Sequence, residues 1–179
     1  MTLPTFKYHP DPVASGSIVA SEAECRRCRQ NRGYIYVGPV YSETDLEDGL
    51  CPWCIADGSA HQAFGATFVD GEAFAPELAE SAVAEITQRT PGYDAWQSEE
   101  WPACCNDATA FQAPAGIAEI RKSYRELESA VLSHIVYNMG ISGGAATRLL
   151  QSLNRDTGPT AYLFRCQACG EYQFHIDQP

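Results

Sequence analysis

Cysteine is the residue of this chain whose number and spacing point most directly to chemistry. Eight are present, and six of them form Cys-x2-Cys pairs: Cys25/Cys28, Cys51/Cys54 and Cys166/Cys169, with Cys104 and Cys105 adjacent. A structural zinc ion takes four thiolate or imidazole ligands at tetrahedral corners, and one tight Cys-x2-Cys turn supplies two of them without strain. Cys28 and Cys51 are separated by 22 residues, enough for a strand and a return loop. Cys25, Cys28, Cys51 and Cys54 are therefore expected to hold one zinc ion.

Cys51-Pro-Trp-Cys54 also has the form of a redox dithiol. That motif opens a helix after the central strand of a βαβ unit, whereas the acidic residues 45–50 before Cys51 do not read as a buried strand. The metal reading is preferred. Cys104, Cys105, Cys166 and Cys169 make a candidate second zinc site, although adjacent side chains tend to diverge and one of the pair is a candidate buried apolar thiol. If a ligand were missing, His175 or water would complete the shell, and an open position would allow hydrolytic chemistry. With four cysteines at each site no position is open.

A zinc ion with four thiolates carries a net charge of −2, so two centres would take the formal −11 of the chain to −15. Such centres need donors nearby. Arg26, Arg27, Arg29 and Arg32 flank the first pair and Arg165 precedes Cys166, so guanidinium groups are expected around the sulfurs. A local anion or nucleic-acid patch is the alternative use of these arginines.

Away from the cysteines, residues 90–101 carry Tyr93, Trp96 and Trp101 between Pro91, Gly92 and Pro102. This aromatic loop either packs over a small core or offers Tyr93, Trp96 and Trp101 as a binding surface. Residues 140–144, Gly-Ile-Ser-Gly-Gly, lack the Gly-Lys-Ser/Thr ending of a phosphate loop and read as a helix-to-helix turn. His134 lies beside an apolar helical stripe and reads as a packed histidine. Asp57-Gly58 and Asp107 read as turn chemistry.

The elements that must position these residues follow from periodicity. Residues 1–16 contain Pro4, Pro10 and Pro12 and read as an extended lead-in with little chemistry. Residues 17–41 read as strand, knuckle, strand around Cys25/Cys28, and residues 161–177 repeat that layout around Cys166/Cys169. Asp57 or Ser59 is placed to cap a short helix near Ala60. Helices are predicted over 76–89, over 117–138 (the firmest, with Ile120, Tyr124, Leu127, Val131, Leu132, Ile135 and Val136 at helical spacing) and over 145–153. The fold class is α+β, with zinc-ribbon-like β-hairpins packed with two or three helices. The 179 residues suffice for a single zinc-binding domain, or for two lobes, the first zinc lobe over about 1–75 and the helices with the second over about 76–179.

Composition narrows the function. At 45% hydrophobic and 20% charged the chain has the make-up of a folded globular protein. A net charge of −11 disfavours general nucleic-acid binding and anionic membranes, which need concentrated positive surface. No segment is apolar enough to span a bilayer or serve as a signal peptide. Eight cysteines without such a signal point to a reducing cytoplasm and to metal rather than disulfides.

The set formed by Leu3-Pro-Thr-Phe-Lys-Tyr-His-Pro-Asp-Pro12, Tyr34-Ile-Tyr-Val-Gly-Pro-Val-Tyr41, Cys51-Pro-Trp-Cys-Ile-Ala-Asp-Gly58, Thr90-Pro-Gly-Tyr93 and Tyr162-Leu-Phe-Arg-Cys-Gln-Ala-Cys-Gly170 resembles the bacterial CbrC family nearly end to end. The resemblance implies a small cytoplasmic protein of uncharacterised activity, linked by name to colicin E2 tolerance. It supports Cys25, Cys28, Cys51, Cys54, Cys166 and Cys169 as knuckle cysteines, with Cys105 preceding Asn106-Asp107, and it transfers no catalytic residue. The expected function is a zinc-stabilised binding or adaptor protein acting on an unknown protein or small molecule. A thiol redox protein using Cys51 and Cys54, or a hydrolase at an incomplete second site, is the enzymatic alternative.

Overall fold

The computed structural model describes residues 2–72, 74–97 and 99–179. Its architecture is α+β, with small antiparallel hairpins carrying the cysteine clusters and a few helices packed beside them. After a one-turn helix α1 (Pro12–Ser15), β1 (Ile18–Ala20) pairs antiparallel with β2 (Tyr34–Tyr36) around the first knuckle. A single bridge, Tyr36 to Leu50, then brings the chain to Cys51, and α2 (Pro52–Ala56) and α3 (Ser59–Phe64) follow. Ile18, Ile35, Tyr36, Leu50, Ile55 and Phe68 close a first core around the thiols.

The second half is built on one antiparallel sheet of order β5-β6-β7, formed by Ala110–Ala115, Thr160–Arg165 and Tyr172–Asp177. Alternation along β6 sends Tyr162 and Phe164 to one face and Ala161 and Leu163 to the other, and all four are buried. A strand covered on both faces must be apolar throughout, which is how residues 161–164 read. Pro114 is tolerated because β5 is an edge strand, where its missing N–H breaks no ladder. On one face Tyr93, Trp101, Phe111, Tyr162 and Phe164 form an aromatic core, with Tyr93 stacked on Phe111 at 4.5 Å between centroids. On the other face lie α5 (Ile117–Ser123), a 3-10 turn (Arg125–Leu127), α6 (Glu128–Tyr137) and α7 (Gly143–Ser152), which bury Ile120, Leu127, Val131, Ile135 and Leu150 against Leu163 and Phe174. The short hairpin of β3 (Ala103–Cys104) and β4 (Asp107–Ala108) precedes this sheet, and α4 (Glu80–Arg89) joins the two halves.

Three expectations need correction. The helix predicted over 117–138 is interrupted, because Tyr124 leaves helical geometry (φ −136°, ψ 37°) and its ring meets Tyr172 edge-on at 6.5 Å. The apolar stripe keeps its phase through the 3-10 turn, so periodicity alone reads straight across the break. The helix predicted from residue 76 begins at Glu80, after a turn in which the Leu78 N–H donates to the Ala75 carbonyl. The extended lead-in does more than introduce the chain. Phe6 enters the first core and Tyr8 the aromatic one, so residues 2–9 form a strap across both halves.

The aromatic loop is drawn inward rather than offered to a partner. Tyr93 and Trp101 are 2% and 1% exposed and pack in the core, so of the three rings proposed as a binding surface only Trp96 remains exposed, at 40%. Tyr93 donates to the Glu100 carbonyl and Trp101 Nε1 donates to that of Thr109, which satisfies both polar groups inside the core. Gly92 makes this possible, since a Cβ there would lie 1.9 Å from the Phe68 carbonyl oxygen. Ser98 of this loop lies outside the described residues.

The strap also buries a histidine. His9 is fully enclosed, with its ring edge-on to Phe111. Its Nδ1 lies 2.8 Å from the Pro91 carbonyl, which can only accept, so Nδ1 carries the proton and Nε2 accepts from the Ser15 hydroxyl at 2.7 Å. Burial pushes its pKa down to about 4, against the opposing pull of the Pro91 carbonyl. The unfolded chain takes up this proton near pH 6.5 and the folded chain only near 4, so stability is complete above the first value and lost as pH falls toward the second. Urea unfolding of the wild type is expected to lose about 3 kcal/mol of stability across that window beyond what a His9→Gln variant loses, the cysteine clusters being common to both.

Candidate metal centres

The two strand–knuckle–strand hairpins share one backbone design. In the first, the Cys25 N–H donates to the Gln30 carbonyl at 3.0 Å and the Arg29 N–H to the Cys25 carbonyl at 2.8 Å. In the second, Cys166 N–H donates to Glu171 at 2.8 Å and Gly170 N–H to Cys166 at 3.0 Å. Both turns place their fifth residue in the left-handed region, Arg29 at φ 57° and Gly170 at φ 79°. The backbone N–H groups inside each turn then point at the sulfur of its first cysteine.

The partner cysteines arrive by two different routes. Cys51 sits at the N-cap of α2 with Pro52 in the first helical position, where its missing N–H costs nothing. Cys51 and Cys54 thus come from a helix start rather than from a second knuckle. Among the described residues no βαβ unit surrounds them, and their sulfurs face the opposite pair: Cys28 to Cys51 is 3.8 Å and Cys25 to Cys54 is 3.9 Å. Cys104 and Cys105 come from the β3–β4 hairpin. Its two central residues, Cys105 (φ 54°) and Asn106 (φ 63°), are both left-handed, as in a type I′ turn. That geometry overrides the usual divergence of adjacent side chains and turns both thiols to one side, 3.8 Å apart, with Cys104 3.7 Å from Cys169.

Each quartet therefore brings four sulfurs within 4.8 Å of one another, and all eight cysteines are free thiols. A tetrahedron of thiolates about 2.3 Å from a central ion has edges of about 3.8 Å, nearly double a disulfide bond. The 3.7–3.9 Å separations given above for both quartets match those edges. His175 joins neither group; it lies over Tyr162 with Nδ1 3.3 Å from a Glu100 oxygen.

The electrostatics of the thiols agree with a site built for a cation. Cys25 is held down to about 4 by its contact with the Cys51 thiol, helped by the N–H groups of Cys28, Cys51 and Arg27, while burial opposes. Cys51 is pushed far up by the same contact, and Cys54 up to about 11, chiefly by burial. In the second quartet the Cys169 and Ala168 N–H groups hold Cys166 down to about 6, and Cys104 and Cys105 are raised, chiefly by Cys166 and Cys169 respectively. One thiolate per quartet, Cys25 or Cys166, forms readily, while Cys51 and Cys54 in the first and Cys104 and Cys105 in the second resist. A bound cation is what lets four ionise together.

The arginines do not donate to the sulfurs as expected. The Arg26 guanidinium donates to the Asp45 carbonyl, Arg27 Nε to Ser59 at 3.1 Å, and Arg89 donates twice, at 2.9 and 2.8 Å, to the Ala56 carbonyl that ends α2. Arg32 lies on the Trp53 ring at 4.5 Å. Arg27 and Arg32 tie the knuckle to the helical ligand segment, Arg26 ties it to the loop before Cys51 and Arg89 ties α4 to α2, while backbone N–H groups serve the thiolates.

One feature of the second centre escapes sequence reading. Asp107, directly after its turn, accepts from Tyr8 Oη and Lys7 Nζ, each at 2.7 Å. Gln167, inside the knuckle, donates to the Lys7 carbonyl at 2.8 Å. At the other end of the strap Trp53 Nε1 donates to the Thr2 carbonyl at 3.2 Å. The strap thus touches both centres. The alternation of Phe6 and Tyr8 with exposed Lys7 was the available sign.

The fold and its paired four-cysteine groups define a small α+β protein with two sites suited to a metal ion. The chain belongs to the Uncharacterised protein family (UPF0167), which matches residues 3–178. Similar proteins include UPF0167 proteins of Mycobacterium bovis and Mycobacterium tuberculosis, each 43% identical over 176 residues, covering 98% of this chain and 93% of the relative. A UPF0167 protein of Pseudomonas aeruginosa is 41% identical over 177 residues, covering 98% of this chain and 97% of its own. No solved structure is significantly similar. No helix among the described residues is long and apolar enough to cross a membrane.

The shared knuckle makes a test. Gly170→Ala is expected to cost about 1 kcal/mol in urea unfolding, since a Cβ is disfavoured in the left-handed region, while Arg29→Gly at the equivalent position should gain about 0.5–1 kcal/mol by the same argument.

Proposed function

We propose that both quartets are closed, structural zinc centres and that the chain is a binding or adaptor protein rather than an enzyme. Four sulfurs at tetrahedral spacing in each quartet carry this reading, because they leave no open position for substrate or water. Zinc suits an all-thiolate shell. The two lobes around the centres act as one domain, with metal standing in for the core that each small lobe lacks. Eight reduced thiols fit a reducing cytoplasm.

The resemblance to the CbrC family attaches this reading to bacterial stress or colicin tolerance. The contact surface is the exposed part of the aromatic loop, Trp96, facing an unknown protein or small molecule. The formal −11 charge argues against general nucleic-acid binding.

Elemental analysis of the purified protein is expected to give two zinc ions per chain. Cys25, Cys28, Cys51 and Cys54 should resist iodoacetamide until a chelator strips the metal. One zinc ion would confine the structural reading to the first centre and reopen hydrolysis at the second. A metal-free chain that cycles Cys51 and Cys54 reversibly to a disulfide would establish the redox alternative in its place.

A further inference from the structure

We infer that the second centre is a modification site for two-electron oxidants of the peroxide class, which oxidise its exposed thiolates and release its metal while the first centre keeps its own. This rests on reading both quartets as zinc centres. The two quartets have nearly the same sulfur geometry and opposite accessibility. Cys25, Cys51 and Cys54 are 0%, 0% and 3% exposed and Cys28 is half-buried, whereas Cys105 and Cys169 are exposed and Cys104 is half-buried. A peroxide molecule reaches a sulfur only where solvent does, so access alone separates the two centres.

Hydrogen bonding separates them further. The Cys25 sulfur accepts the Cys51 N–H at 3.3 Å and is served by those of Arg27 and Cys28, and the Ser59 side chain contacts Cys54. In the second quartet only Cys166 is served in this way, by the Cys169 and Ala168 N–H groups, and around Cys104 and Cys105 the dominant neighbours are other thiols. A thiolate without N–H donors keeps its electron density at sulfur and remains the stronger nucleophile.

The chemistry balances with hydrogen peroxide as the oxidant. The Cys169 thiolate attacks one peroxide oxygen, the O–O bond breaks, hydroxide leaves, and sulfur becomes a sulfenic acid. The Cys104 thiolate, 3.7 Å away before reaction, attacks that sulfur, the S–O bond breaks, and a second hydroxide leaves as the disulfide forms. Two thiolates lose two electrons, and peroxide gains two and ends as two hydroxides, which solvent protonates. The ion has then lost two of its four ligands, and Cys105 and Cys166 alone do not hold it. Cys105 also lies against Cys169 and is the slower, second resolving thiol, whereas a bond between the adjacent Cys104 and Cys105 would close only a small, strained ring.

The experiment starts from protein whose zinc content has been measured and follows release with a chromogenic zinc chelator during treatment with a few equivalents of hydrogen peroxide at neutral pH. The expected result is one equivalent of zinc released, a Cys104–Cys169 disulfide in the peptide map, and the second equivalent retained until the protein is unfolded. Replacing Cys104→His keeps a zinc ligand but removes the resolving thiol, so this variant should hold two zinc ions and release zinc at least tenfold more slowly. Protein that contains no zinc at the outset would end the zinc reading itself. Two zinc ions released together, neither released before unfolding, a disulfide confined to the first quartet, or unchanged release from Cys104→His would each overturn the inference and leave the zinc reading standing.

Discussion

Four ionisable thiols drawn into one small volume set the terms for the rest of this molecule. Eight thiols are drawn into two clusters whose sulfurs sit closer together than repulsion between thiolates allows without a central cation. Everything nearby serves that constraint. Backbone N–H groups aim at the first sulfur of each knuckle, a helix start or a left-handed turn supplies the other pair, and arginines tie carbonyls on either side of the first cluster. The small two-stranded hairpins beside these clusters bury little by themselves, and the clusters are what hold their ends together.

The three-stranded sheet answers a different demand. Its central strand is covered by aromatic rings on one face and helices on the other, so it forms an apolar core of the ordinary kind. Tyr93 and Trp101 belong to that core, and their burial explains the density of rings in a segment of loop. Surface exposure at Trp96 is the residue of a loop otherwise committed to packing.

Much of this was legible in the sequence, for physical reasons that can be named. Cys-x2-Cys spacing encodes a turn directly, so both knuckles and the strands on either side could be read. The apolar and aromatic runs on either side of Cys166/Cys169 gave the strands of the second hairpin, and the stripe from Ile120 to Val136 gave the helical layer. What could not be read depended on distant contacts. The kink at Tyr124 answers to Tyr172, and the left-handed turn at Cys105 is set by hairpin pairing between Cys104 and Asp107. Tyr93 and Trp101 carry the same rings in a core or on a surface, and composition does not distinguish these. The arginines near the first knuckle were visible as charge, but their partners are carbonyls of residues 45 and 59 that spacing does not bring near.

The strap of residues 2–9 imposes an order of assembly on a chain made from its N-terminus. All four ligands of the first cluster lie within residues 25–54, so that lobe has what it needs while most of the protein is still unmade. Lys7, in contrast, is held by Asp107 and by Gln167, the latter 160 positions later. Residues 2–9, made before either cluster, are thus among the last to be seated, and until the second knuckle has been synthesised Tyr8 has no finished core to enter. Closing so long a loop is slow compared with local pairing. The early lobe and the late strap therefore give this chain a folding sequence that begins around residues 25–54 and ends by seating residues 2–9 across both centres.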